Sequence, residues 1–443
     1  MSATTDFAHL DDSGITREHW KIMFISGMGF FTDAYDLFII GVVMHLLRAE
    51  WHTSPLAEGL VTSTALLASA VGAVLFGRVA DMLGRKRIYG YEVLVLSAGA
   101  IASAFSPNIW WLIGFRIILG VGIGGDYPVS STIMSEFSGK KHRGMMVSLV
   151  FAMQAAGLIV GPLLAALLLV INLDHDLVWR LLLAFGAVPA MAVFQMRRHL
   201  AETPRFQMGA SQQSGQKATF AEGFQRLLAR RDLRVRLLGA SLAWFLMDFA
   251  YYGNTVSSPM VLHAIAPTDN LLTQTLTQLA VFAAAAVPGY FVAAAMIDRI
   301  GRKPIQLLGF FMMGASFLAM ALIPGIEKLL YPLLIIYGIS YFFTEFGPNA
   351  TTFVYPAELF PVEGRTTGHG IASAAGKIGG FAGVFTFPLL MAWHGLLSAE
   401  MSAAIASVLG LVVTLVMLPE TNGRSLEELS AAPQVADRAV ASR

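Results

Sequence analysis

DMLGRK, residues Asp81–Lys86, returns 217 residues later as DRIGRK, Asp298–Lys303. Each copy sets an aspartate three residues ahead of a glycine and a basic pair after it, and each follows a long apolar run. The match extends further. Glu136 and Arg143 reappear as Glu358 and Arg365, and Glu202-Thr-Pro-Arg205 reappears as Glu420-Thr-Asn-Gly-Arg424. Loop charges that recur in this order mark a chain built from two copies of one unit.

Composition says what the unit is. Of 443 residues, 56% are hydrophobic and 13% are charged, against about 25% charged in an ordinary soluble domain. Mean hydropathy is +0.63. Such a surface would associate in water, so lipid is the expected solvent. A spanning helix needs about 20 mostly apolar residues. Segments of that kind run at 22–47, 56–79, 88–106, 109–136, 144–171 and 178–197, then at 237–264, 273–298, 304–324, 329–355, 366–394 and 399–418. They are too long and too evenly apolar for barrel strands. The expected fold is an all-α membrane protein of twelve transmembrane helices in two pseudo-symmetric six-helix halves, 22–197 and 237–418. Residues 1–21 precede them, 198–236 link them, and 419–443 form a tail.

Lysine and arginine collect in alternate loops: Arg85-Lys86-Arg87, Lys140-Lys141 with Arg143, the 198–236 linker, and Arg302-Lys303. The opposite loops carry little beyond Arg48 and Lys328. Positive loops stay cytoplasmic, which puts both termini and the linker inside. The polar, acidic opening MSATTDFAHLDDSGITREHW is not a cleavable leader. Short termini and a short linker suit a cell (inner) membrane, and a monomer is expected to suffice.

Several classes of function are set aside. A net charge of +1 offers no field for nucleic acid. With no cysteine there is no thiolate chemistry, and the 10 histidines show no metal-ligand spacing. No nucleophile–base pattern points to an enzyme, and no cofactor is expected. Gly120-Val-Gly122-Ile-Gly124-Gly125 fits a dinucleotide fingerprint, but it lies inside a span with no strand before it. Small residues there are expected to let helices approach closely. Asn349-Ala-Thr351 fits a glycosylation acceptor but also lies inside a span.

Ionisable residues at bilayer depth mark pathways. Asp33 and Asp36 lie in the first span, Glu92 in the third, Arg116 and Asp126 in the fourth; Asp248, Glu345 and Lys377 belong to the second half. Asp33, Gln154, Asp248 and Lys377 each sit ten or eleven residues from the start of their spans, roughly 16 Å deep and so near the midplane. The repeat pairs them as well, Asp33 with Asp248 and Gln154 with Lys377, while Tyr127 aligns with Asn349. Polar side chains also hold helices together in membranes, but equal depth at equivalent positions favours a shared cavity. Trp244, Asp248 and Tyr252 fall at i, i+4 and i+8 on one face of the seventh span. Arg116 is expected to meet a carboxylate on a neighbouring span, because Asp126 is about 15 Å away along its own helix. Asp126 has no acidic counterpart, since Pro348 aligns with it. Its charge is thus specific to one half, as a proton carrier's is, and replacing it is expected to uncouple transport more than unfold the helix. Asp81, Arg85, Glu136, Arg143, Asp298, Arg302, Glu358 and Arg365 are expected to form gate latches, with Glu136 sharing its latch with Arg143.

GFFTDAYDLF (Gly29–Phe38), GGDYPVSSTIMSEF (Gly124–Phe137), WFLMDFAYY (Trp244–Tyr252), GPNATTFVYPAELFP (Gly347–Pro361) and HGIASAAGKIGG (His369–Gly380) resemble the proton-coupled phosphate symporters of the major facilitator superfamily, the group of fungal and plant high-affinity phosphate transporters. The resemblance runs through all twelve spans. It implies a fold whose halves rock about a midplane site, with inorganic phosphate and protons as substrates. It further implies that Tyr127, Gln154, Trp244, Asp248, Tyr252 and Asn349 contact phosphate, that Lys377 lies near the anion, and that Asp33, Asp36, Asp126 and Glu92 belong to the proton route. The chain departs from that pattern in its short linker, in GNTVSSP after Tyr252, and at Glu345, where those transporters typically carry a neutral residue.

The residues give coupling a physical basis. Tyr, Trp, Gln and Asn offer neutral donors to an oxyanion, and the lysine offers charge. Carboxylates oppose an anion in a dry cavity, so Asp248 or Asp33 is expected to bind substrate best when protonated. A proton symporter of another small anion, and a membrane nutrient sensor that binds without transporting, fit the same residues.

Overall fold

The computed structural model describes residues 7–171, 173–212, 219–256 and 271–431. Among them, nine helices are long and apolar enough to cross a membrane. Three details reconcile these with the twelve expected segments. Arg365–Met417 is one continuous helical run broken by Gly395, whose φ of 73° turns the chain, so it holds two segments, 365–394 and 396–417. Tyr91–Ala104 is short because Gly90, at φ 119°, starts it three residues later than expected. Arg231–Val256 carries charge in its first turns, and the rest of the expected seventh span lies outside the described residues.

In chain order the spanning helices are α1 (Arg17–Trp51), α2 (Pro55–Leu83), α3 (Tyr91–Ala104), α4 (Ile109–Phe137), α5 (Arg143–Val170), α6 (His175–Arg198), α7 (Arg231–Val256), α8 (Leu276–Ile300), α9 (Arg302–Leu322), α10 (Leu330–Leu359), α11 (365–394) and α12 (396–417). Helix α1 starts five residues ahead of its apolar stretch because Thr16 and His19 cap it reciprocally. Helices Pro204–Gln212 and Phe220–Ala229 lie within the linker, and Arg78 of α2 donates to the carbonyls of Thr219 and Phe220 at the start of the second.

Glycine decides how closely helices pack. A Cβ on Gly120 or Gly124 would run into the α2 backbone at Ala65 or Ser69, and one on Gly122 into α3 at Leu96. The fingerprint-like glycines are therefore seats for neighbouring helices. On the other half, Gly379 and Gly383 of α11 sit against the α7 backbone at Phe245 and Phe249 in the same way. Residues Glu345–Asn349 of α10 form a π-helical turn around Pro348, with Gly347 at φ −101° and ψ −110°. Proline removes one backbone donor there, and widened turns of this kind recur at functional sites.

Candidate functional site

Seven side chains singled out by depth and repeat meet in the middle of the molecule. Tyr127, Gln154, Trp244, Asp248, Tyr252, Asn349 and Lys377 are each at most 4% exposed. Gln154 Nε2 donates to Tyr127 Oη at 2.9 Å, and Tyr290 Oη donates to Gln154 Oε1 at 3.1 Å. Asn349 Nδ2 donates to Tyr290 Oη at 3.3 Å and to the Glu345 carboxyl. One chain of hydrogen bonds thus runs from α4 through α5 and α8 to α10, crossing between the halves. Lys377 Nζ donates to Tyr252 Oη at 3.1 Å, stands 3.9 Å from Asp248 Oδ2, and lies 4.0 Å above the Tyr127 ring. Neutral donors therefore surround one buried cation.

Asp33 of α1 lies one turn from Phe30, whose ring packs edge-on against Tyr127 of the cluster at 4.9 Å. Both its carboxyl oxygens are buried without a hydrogen-bond partner among the described residues. Asp36, one turn further along α1, lies against Gly186 of α6, and the terminal nitrogens of Arg116, expected to meet a carboxylate on a neighbouring span, have no hydrogen-bond partner among the described residues. Arg116 Nε donates to the Val61 carbonyl at 2.8 Å.

Asp126 and Glu92, both expected on the proton route, share one cation. Arg197, at the end of α6, donates to Asp126 through both terminal nitrogens, at 2.8 and 3.2 Å, and to Glu92 at 2.9 Å. Ser130 Oγ also donates to Asp126, at 2.7 Å, and the backbone N–H of Gly90 donates to both oxygens of Glu92 at 2.9 Å. The guanidinium stacks on Tyr89, 4.4 Å from its centroid. Two carboxylates share the terminal nitrogens of one arginine in a buried knot, which ties α3, α4 and α6 together. Arg197 escapes a sequence reading because it sits where basic flanking residues are expected anyway. Tyr290 escapes for another reason: its repeat position is Ala73, so pairing equivalent positions hides it.

Aromatic rings close the cluster above and below. Phe30, Phe151 and Phe353 lie three or four residues from Asp33, Gln154 and Asn349, toward the basic loops. They pack at centroid distances of 4.7–5.6 Å. On the opposite side, Phe38 of α1 stacks on Tyr252 of α7 at 5.8 Å. The centre is thus occluded from both ends.

The face carrying the basic loops is locked by a pseudo-symmetric charge network. Arg85 pairs with Asp81 at 3.2 Å and Glu136 at 3.1 Å, as Arg302 pairs with Asp298 at 2.7 Å and Glu358 at 2.8 Å. Thr203 and Thr421 each donate to those glutamates at 2.5 Å. The latches then cross. Arg365 of the second half binds Glu136 of the first at 2.9 Å, and Arg143 of the first binds Glu358 of the second at 2.9 Å. Arg143 therefore holds Glu358, not the Glu136 with which the sequence grouped it. Asp81 accepts from the first backbone N–H groups of α11, Thr366 at 3.3 Å and Thr367 at 2.7 Å. Asp298 does the same for α5, at Gly144 (3.1 Å) and Met145 (2.7 Å). Each aspartate thus satisfies orphan donors at the other half's helix N-terminus. Gly84 and Gly301, at φ 99° and 102°, bring Glu202 and Glu420 against the following turns. Those carboxylates accept from the N–H of Arg85 (3.2 Å) and of Arg302 (3.0 Å).

The description "Major Facilitator Superfamily" matches residues 26–384. The chain belongs to the major facilitator superfamily. Within it, the chain is 37% identical to inorganic phosphate transporter 1-11 of Oryza sativa subsp. japonica, over 95% of this chain and 89% of that one. It is 35% identical to the probable inorganic phosphate transporter 1-6 of Arabidopsis thaliana, over 93% of both chains, and 34% identical to a low affinity inorganic phosphate transporter of Petunia hybrida. The proton:xylose symporter XylE superposes with a TM-score of 0.73 at 21% identity, over 93% of this chain and 98% of that one, which establishes the shared facilitator fold. This facilitator is a multi-pass membrane protein and a transporter, not an enzyme.

Proposed function

We propose that this facilitator is a proton-coupled symporter of inorganic phosphate that works by alternating access. One observation carries the reading: a ring of neutral donors from both halves encloses a single buried lysine that is already shared with an aspartate. Tyr127, Gln154, Trp244, Tyr252 and Asn349 supply O–H and N–H donors to phosphate oxygens, and Lys377 supplies charge. The printed names of the plant relatives fit that chemistry.

Coupling follows from the position of Lys377. An ionised Asp248 competes with phosphate for the same ammonium group, 3.9 Å away. Once Asp248 takes a proton, the lysine is free for the anion. Proton and phosphate therefore bind better together than apart, which is a positive coupling free energy between two sites. Asp33, without a hydrogen-bond donor of its own among the described residues, serves as the carboxyl that exchanges protons with the outside. The loaded centre favours occlusion. Separation of the crossed Arg143–Glu358 and Arg365–Glu136 pairs then opens the face with the basic loops, which is the cytoplasmic one by the charge bias. Water reaches the carboxyls, the proton leaves, and phosphate follows it.

Competition tests the substrate class. Purified protein in liposomes takes up labelled phosphate, and excess unlabelled phosphate or arsenate abolishes the uptake while sulfate or small carboxylates at equal concentration do not. Equal suppression by a carboxylate would move the substrate to another anion.

A further inference from the structure

Glu345 is a buried carboxyl for which the scheme of Asp33, Asp248 and Lys377 has no use. It is 0% exposed and opens the π-helical turn of α10. One oxygen accepts from Asn349, a phosphate donor in the proposed site. The other is buried without a hydrogen-bond partner among the described residues. The groups that face it are the phenols of Tyr251 on α7 and Tyr290 on α8, with Asp248 on α7 a neighbouring carboxyl. Among the described residues no lysine, arginine or histidine nitrogen pairs with it: Lys377 is taken by Asp248, Tyr252 and the Tyr127 ring.

Charge counting makes this arrangement informative. The occluded centre holds three carboxyls, Asp33, Asp248 and Glu345, against one ammonium group. A dry, uncompensated carboxylate is costly, and such a group takes a proton instead. Bound phosphate adds negative charge and deepens the deficit. A glutamic acid also fits its surroundings better than a glutamate does. Its carbonyl oxygen keeps accepting from Asn349, and its O–H points toward the phenol oxygens, where the Tyr251 hydroxyl is likewise buried without a partner among the described residues. When the cavity opens to water, the same group is solvated and ionises as an ordinary glutamic acid does near neutral pH. A carboxyl that crosses neutral beside phosphate, where the added negative charge favours its protonation, and returns ionised once phosphate has left moves one proton inward in every cycle.

We propose that Glu345 is a second proton carrier, which crosses the membrane protonated beside phosphate and sets the proton-to-phosphate ratio one higher than Asp33 and Asp248 alone would give. The proton binds from outside while the site faces out, stays on the carboxyl through the phosphate-loaded crossing, and leaves to the cytoplasm when the site faces in; the empty carrier returns with Glu345 ionised. This rests on the phosphate symport reading.

The test is thermodynamic, so it does not depend on how fast a variant turns over. In liposomes with the membrane potential clamped at zero, the phosphate gradient that just stops net flux is measured against an imposed pH gradient. Glu345→Gln keeps an acceptor for Asn349 but carries no titratable proton, and the balancing gradient is expected to fall about tenfold per pH unit relative to the wild type. An unchanged balance point overturns the proposal. Should the Gln variant not transport, infrared spectra of the purified proteins decide. The wild type at neutral pH shows a protonated-carboxyl band that Glu345→Gln removes and Glu345→Asp shifts, and a band indifferent to both substitutions overturns the proposal. Failure of the wild type to exchange phosphate at all would sink the symport reading instead, and leaves the infrared result to judge Glu345 alone.

Discussion

Lys377 and Asp248 are the pair on which coupling turns. Asp248→Asn leaves the lysine permanently free for the anion, so phosphate exchange between the two sides is expected to persist while accumulation driven by a pH gradient is lost. Retained accumulation would remove Asp248 from the coupling role. Lys377→Ala takes away the one charged donor, and charge-assisted contacts are worth about 1.5–3 kcal/mol. Half-saturation for phosphate should therefore rise roughly 10- to 100-fold, as read from initial uptake rates. Arg197 differs in kind, because it is expected to act as a scaffold. Arg197→Met leaves Asp126 and Glu92 buried without a cation, and breaking such a buried ion group typically costs about 3–5 kcal/mol. Thermal unfolding in detergent should show that loss, and restoring stability with added Asp126→Asn and Glu92→Gln would mark the knot as a scaffold. An unshifted unfolding temperature in Arg197→Met would contradict it. Depth counting from span starts found Asp33, Gln154, Asp248 and Lys377. It could not find partners, since a side chain's neighbour depends on how helices are rotated against each other. The pairing of Asp126 with Arg197 was hidden for that reason.

At the scale of helices, glycines govern the packing. Gly124→Ala would press its methyl into the Ser69 backbone of α2, and overpacking of this sort costs about 1–3 kcal/mol. A lower unfolding temperature with unchanged phosphate affinity in the surviving fraction is the expected outcome. Gly114 on the same helix has open space around its Cβ position, so Gly114→Ala is expected to be neutral and serves as the control. The long spanning segments were legible from hydropathy because a bilayer demands a minimum apolar length. The short α3 was legible as well, but its start was not: Gly90 bends the chain inside an apolar stretch, and apolarity carries no record of φ. The π-helical turn at Glu345–Asn349 was equally hidden, although Gly347-Pro348 marks the place where the regular hydrogen-bond ladder has to fail.

Over the whole molecule, the repeated loop motifs read from sequence correspond to the two equivalent latches. What sequence could not give is that the latches are crossed, because a repeat shows which residues are equivalent and not which half each one holds. The crossed pairs are expected to make that face a two-state element. Glu358→Gln weakens both Arg143 and Arg302 contacts at once and should shift the population toward opening on that face. The chain has no cysteine, so a single Ser135→Cys reports cleanly. Ser135 is fully buried and donates to the Ala357 carbonyl across the halves at 3.2 Å. Maleimide labelling at Cys is expected to be slow in that background and to speed up on the order of tenfold or more when Glu358→Gln is added; equal rates would mean that the latches do not hold the face shut.

Proton-coupled phosphate movement across a membrane is the claim that everything else serves, and one assay reaches it directly. Purified protein is placed in liposomes with an acidic outside and an alkaline lumen, and labelled phosphate is followed over time. The account predicts uphill accumulation that collapses when a protonophore dissipates the gradient. Binding without accumulation, or uptake that never exceeds equilibration and ignores the protonophore, would contradict it.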